Sequence, residues 1–150
     1  LVGAKESSTA PADISRETEI SARGAENARL RSIFMGAVGG FRTAKSLCDS
    51  EKYDLALRRI DETIRRFLRT LAGRLGVRIE RGDDKPANVL DRLSEAGIAS
   101  PPNRSKITWI NQRVASSGIG KSTVTREEAL RALQDAISFL KQTSGIFHID

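Results

Sequence analysis

Between Ala115 and Ser122 the chain reads Ala-Ser-Ser-Gly-Ile-Gly-Lys-Ser, the loose form of a phosphate loop in which Ala stands for the first Gly. In such a loop, backbone N–H groups curl around the phosphates, a Lys reaches the terminal ones, and a Ser or Thr hydroxyl holds Mg²⁺. Gly120, Lys121 and Ser122 would then contact a nucleotide. That chemistry requires a strand entering the loop and a helix leaving it directly. The flanks argue otherwise. Thr125-Arg126-Glu127-Glu128 has the spacing of a capping box, with Thr125 as N-cap and Glu128 at the third helical position, so the next helix starts after the Gly-Lys-Ser. Too little chain follows to supply the parallel strands of a nucleotide-binding α/β domain. The segment is expected to be a polar turn between two helices, without a bound nucleotide cofactor.

Other reactive side chains are sparse. Cys48 is the single cysteine and His148 the single histidine, so an internal disulfide and a Cys/His zinc site are both excluded, and no metal is expected. Cys48 falls in an apolar register and reads as a packing residue. The carboxylates sit where caps or helix pairing already account for them. What remains is charge: 25 Lys and Arg against 19 Asp and Glu give a formal +6, which favours RNA or another polyanion as partner. Arg58, Arg65 and Arg66 each follow an acid by four residues (Asp54, Asp61, Glu62), the spacing that supports a solvated helix. Arg69, Arg74, Arg78 and Arg81 lack such a partner in the sequence and are the candidate phosphate contacts.

The elements that must position these residues are helices. Leu30, Phe34, Ala37, Phe41, Ala44 and Cys48 recur at steps of four and three, and so do Tyr53, Leu57, Ile60, Ile64, Phe67 and Leu71, with Leu68 and Leu75 widening the second stripe. Gly36, Gly39 and Gly40 interrupt the first stripe at about 1 kcal/mol each relative to Ala, which predicts a kink, a break or the close passage of another backbone. Gly73 and Gly76 end the second helix, and residues 77–82 read as a short extended piece. Pro86 opens a third helix that buries Val89, Leu90 and Leu93 and stops at Gly97. A fourth carries Ile107, Ile110 and Val114 beside Trp109, which reads as core. A fifth buries Ala129, Leu130, Leu133, Ile137 and Leu140 up to Gly145. Residues 1–13 lack periodicity and read as a mobile arm, leaving 14–150 as one all-α antiparallel bundle of four to five helices. No apolar run approaches the ~20 residues of a membrane span, and the chain is expected to be cytoplasmic. It starts at Leu1 rather than Met, which reads as a processed product or a piece of a longer protein.

The order of parts carries a resemblance. An Arg-rich helix with KYDLALRRIDETIRRFLRTL, a short LDRLSEAGI helix, a Pro-Pro turn, and a helix running through a polar loop into a last amphipathic helix resemble the HEPN superfamily over roughly Leu30 to Leu140. The resemblance implies a small prokaryotic helical bundle of a kind that includes RNA-cleaving toxins and phage-defence effectors. Active members carry an Arg, a polar residue, a few variable positions and a His near the end of the penultimate helix, usually facing a second copy across a dimer interface. The matching segment here puts Gln112 at the Arg position, Arg113 at the polar position and Ser117 at the His position. Shifting the register to use Arg113 as the motif Arg brings Gly118 under the His. Neither register supplies an imidazole, and a Ser hydroxyl does not shuttle protons near neutrality without a base. The expectation is therefore a non-catalytic interaction module, dimeric or with a protein partner, that holds RNA or another polyanion through Arg69, Arg74, Arg78, Arg81 and Arg113 and serves in prokaryotic defence or a toxin–antitoxin pair. Two alternatives stay open: a divergent metal-independent ribonuclease using Arg113, and a structural or protein-interaction domain of a longer protein.

Overall fold

The computed structural model describes the backbone of residues 2–79, 86–95, 101–117 and 123–147, and their side chains from 24 onward apart from 86, 87, 101 and 102. Five helices follow one another: α1 (Val2–Asp49), α2 (Tyr53–Arg74), α3 (Pro86–Glu95), α4 (Pro101–Ala115) and α5 (Arg126–Ile146), and among the described residues there is no strand. The chain is all-α, as its apolar periodicity predicts. The α1 and α2 stripes are buried as expected, with Leu57, Ile60, Leu68 and Leu71 fully enclosed. Every helix contributes to one core, in which Phe67 of α2 meets Phe34 of α1 and Phe139 of α5 at ring distances of 5.1 and 6.1 Å. Helix α2 is the central element, packing on each of the other four.

One of the sequence expectations is corrected here, and one meets an unforeseen helix. The backbone is helical from Val2 onward, so residues 2–13, read without periodicity from the sequence, are the first turns of α1. Extending an existing helix costs far less than starting one, so an apolar stripe is not needed once α1 is nucleated further along the chain. In α5, Ile137 is 36% exposed rather than buried, and Ala132, Ala136, Phe139 and Thr143 face inward with Ala129, Leu133 and Leu140. Small residues on that face let α5 sit close against α1, α2 and α4 together, and the helix turns accordingly.

The glycine-rich part of α1 does not break it into two helices. At Gly40 the reason for glycine is a close approach by α2: an added Cβ would lie 2.6 Å from Cγ2 and 3.0 Å from Cβ of Thr63, and closer still to Oγ1. The helix ends are built by one recurring device. At the end of α2, Gly76 has φ +71, and the N–H groups of Gly76 and Val77 donate to the carbonyls of Gly73 (3.3 Å) and Ala72 (2.9 Å), the paired bonds of a Schellman motif. At the end of α1 the same bonds run from Glu51 to Cys48 (3.0 Å) and from Lys52 to Leu47 (2.9 Å), with Glu51 itself at φ 62. The turn lets α2 fold straight back along α1. Residues 77–79 have no regular structure; the rest of the expected extended piece, and the stop at Gly97, lie outside the described residues.

Candidate functional site

The end of α4 carries the motif positions. Gln112 is exposed, while Arg113, one residue on and turned toward α5, is 14% exposed at its side chain. Its guanidinium is fully engaged. Nε pairs with Glu128 Oε2, Nη2 donates to Glu128 Oε1 (3.3 Å) and to the Thr123 carbonyl (2.9 Å), and Nη1 donates to Ser116 Oγ (3.1 Å). This forked arrangement on a carboxylate is one that Arg, not Lys, can make. Ser117 is buried, and its hydroxyl donates to the Val114 carbonyl at 2.8 Å, which uses it to close the last turn of α4. The segment from Gly118 to Ser122, which holds most of the phosphate-loop pattern, lies outside the described residues, as does His148.

Glu128 is the residue that organises this corner. Thr125 is the N-cap of α5: its Oγ1 accepts from the Glu128 N–H (3.2 Å), and the Thr125 N–H donates back to Glu128 Oε1 (3.1 Å), so the capping box read from the sequence is formed, and the helix starts at Arg126, beyond the Gly-Lys-Ser. The same carboxylate then receives Arg113. That hydrogen bond holds the Glu128 carboxyl below its ordinary range against the opposing push of burial, and the Thr125 amide adds to it. The Arg113 pKa is raised in turn by the bond to Glu128. Asp54, in the first turn of α2, accepts from the Val124 N–H at 3.1 Å and ties the loop before α5 to the start of α2. The sequence spacing pairs Asp54 with Arg58 and Glu62 with Arg66; among the described residues the pair that closes is the third, Asp61 with Arg65, at 3.1 Å.

The candidate residues do not converge on one point. Arg113 stands near Asp54, and Arg74 lies twenty residues further along the same helix, about 30 Å at 1.5 Å per residue. Arg74 is also not without an acidic partner: its guanidinium pairs with Glu26 of α1, Nε to Oε1 at 3.1 Å and Nη2 to Oε2. The i,i+4 search cannot find this pair because it joins two helices. Arg69 and Arg78 are engaged as well, and Arg81 lies outside the described residues. Among the described residues no group of His, Cys, Asp or Glu could hold a metal ion, and no helix is long and apolar enough to cross a membrane.

Of one polar cluster the sequence shows only the Asp61 to Arg65 spacing, and Asn111 gives no signal. Asp61 is 5% exposed between α2 and α4, where its Oδ1 accepts from Asn111 Nδ2 at 3.3 Å while Oδ2 faces Arg65. Burial pushes this carboxyl up, against the pull of Arg65 and Asn111. Trp109, read as core, is half-buried; its Nε1 donates to Asp135 at 2.7 Å and Arg131 lies 4.4 Å over the ring, so the indole spans the α4–α5 seam.

No significant match exists to a curated protein or to a solved structure. A family model described as the HEPN domain matches residues 36–146, most of the chain and all of α2 to α5. With the helix order and the motif segment at the end of α4, that match shows that the chain belongs to the HEPN domain family.

Proposed function

We propose that this chain is a non-catalytic HEPN interaction module that pairs with a second copy or a protein partner and holds RNA or another polyanion, in the prokaryotic defence or toxin–antitoxin setting that the family resemblance implies. The observation that carries the reading is the use made of the motif residues. Arg113 is clamped to Glu128, Thr123 and Ser116, and Ser117 is bonded to the Val114 carbonyl, so the positions that serve phosphate and proton in active members serve helix ends here. A proton shuttle at neutral pH needs an imidazole or a comparably tuned group. The charge of +6 supports the polyanion, and Arg69, Arg74, Arg78 and Arg81 on and beyond the end of α2 are its proposed contacts, whereas Arg113, named with them from the sequence, is committed to Glu128.

The test is incubation of the purified chain with single-stranded RNA in the presence of a chelator, read on a denaturing gel, beside a filter-binding titration. Wild type and Arg113→Ala are expected to leave the RNA equally intact while wild type retains it on the filter. Cleavage that Arg113→Ala stops, with helix content unchanged by circular dichroism, overturns the reading in favour of a ribonuclease.

A further inference from the structure

The first two helices enclose a groove of about 400 Å³, lined by neither α4 nor α5 and so separate from the motif segment. Its origin is local. Gly40 lets α1 and α2 touch at Thr63, and one turn earlier Gly36 faces open space, with nothing within 4 Å of an added Cβ, so the groove widens where a side chain would otherwise fill it. Ser32 lines it from α1, and Arg59, Glu62, Arg66 and Thr70 line it from α2. All five are exposed. Arg59 and Arg66 are two turns apart on one face of α2, about 10.5 Å along its axis, with Glu62 between them. Although Glu62 is one turn from each, it forms an ion pair with neither among the described residues.

We infer that this groove seats a short stretch of single-stranded RNA, with phosphates on Arg59 and Arg66 and a base amino group on Glu62. The inference rests on the polyanion reading above and gives it a location and a base preference. Three features select this ligand. The volume lies in the range of small-ligand sites and takes about one nucleotide, the flanking ones running along the rim. The Arg59 to Arg66 span matches about three stacked nucleotides at roughly 3.4 Å each. A lone carboxylate between two guanidiniums repels a uniform run of phosphate but accepts from an exocyclic amine, as Glu and Asp do from cytosine N4. In a duplex those amines are already paired, so a strand is preferred over a helix. Helix α2 carries six arginines against three acidic residues, which supplies the long-range attraction.

The probes are fluorescent oligocytidine and oligouridine, titrated by anisotropy at several salt concentrations, with polyglutamate as competitor. Wild type should bind oligocytidine about tenfold more tightly than oligouridine, the size of one charged hydrogen bond. Glu62→Gln should collapse that ratio. Arg59→Gln and Arg66→Gln should each weaken both probes and reduce the logarithmic salt slope by about 0.7. Gly36→Leu alters no charge and its Cβ meets nothing within 4 Å, so it should keep the fold by circular dichroism while its side chain fills the groove and abolishes the base preference. If Gly36→Leu and Glu62→Gln leave the ratio unchanged, or polyglutamate competes as well as oligocytidine, the seat is wrong while the module reading stands. If wild type binds neither oligonucleotide, both fall.

Discussion

Glu128 completes the cap of α5 and clamps Arg113 with the same carboxylate, so its ionisation is tied to the joint between α4 and α5. Because Arg113 holds its pKa below the ordinary 4.5, the folded state binds the proton more weakly than the unfolded one. The stabilisation is therefore complete above that ordinary value and is lost as pH falls through the lowered one. Glu128→Gln is expected to lower the Tm at pH 7, and the gap to wild type should narrow on acidification below about pH 4.5. An equal gap at pH 7 and at the acid end would show that the carboxylate contributes no charge-dependent stability. Asp61 works with the opposite sign. Burial raises its pKa above 3.8, so its contribution favours the protonated form and fades as pH rises through the raised value. The acid profile of the single variant is thus the cleaner reading, because Asp61 is common to both proteins.

At the scale of helices, the α1–α2 hairpin depends on one missing side chain. Gly40→Ala would force Cβ into Thr63, whose own hydroxyl donates to the Arg59 carbonyl at 2.7 Å, and overpacking of this kind costs about 1–3 kcal/mol. Without the clash, alanine would be the better helix former by about 1 kcal/mol. The clash should win, and Thr63→Ala should recover part of the loss, since it removes the two nearest atoms. Additive effects in a denaturant double-mutant cycle would rule out the contact. The turn between the same helices offers a gain. Glu51 holds a left-handed conformation that costs an L-residue roughly 1–2 kcal/mol, more than the roughly 0.5–1 kcal/mol of glycine's added freedom in the unfolded chain, so Glu51→Gly should raise the Tm.

For the molecule as a whole, the basic charge has two separable consequences. Replacing Arg69, Arg74, Arg78 and Arg81 together by Gln should flatten the salt dependence of RNA binding, by up to about 0.7 for each phosphate no longer neutralised, without changing the choice between bases. It should cost little stability, because the Arg74 to Glu26 pair is partly exposed and surface pairs contribute about 0–1 kcal/mol. Substitutions in the α1–α2 groove should change the base preference instead. A four-arginine variant whose salt slope equals that of wild type would remove the end of α2 from the binding surface. Core truncation separates folding from binding: Leu57→Ala or Ile64→Ala, both in fully packed positions, should cost about 2–5 kcal/mol.

Periodicity and cap chemistry are local properties, and they sufficed for the all-α class, the buried stripes of α1 and α2, the Pro86 start of α3 and the Thr125 cap that moves α5 beyond the Gly-Lys-Ser. The missing histidine in the motif segment was equally legible, since it is a matter of residue identity. Contacts between helices were not. That Arg74 meets Glu26, that Arg113 meets Glu128, that Asp54 serves the Val124 amide rather than Arg58, and that Gly40 answers Thr63 all depend on crossing geometry between segments far apart in sequence. The rotation of α5 that exposes Ile137 belongs with them, because which side of a helix is innermost follows from the neighbours it must touch at once. The spacing of side chains along one helix determined the elements; the distances between helices, set by side-chain size at each crossing, decided which charges are spent on holding the bundle together and which face a groove.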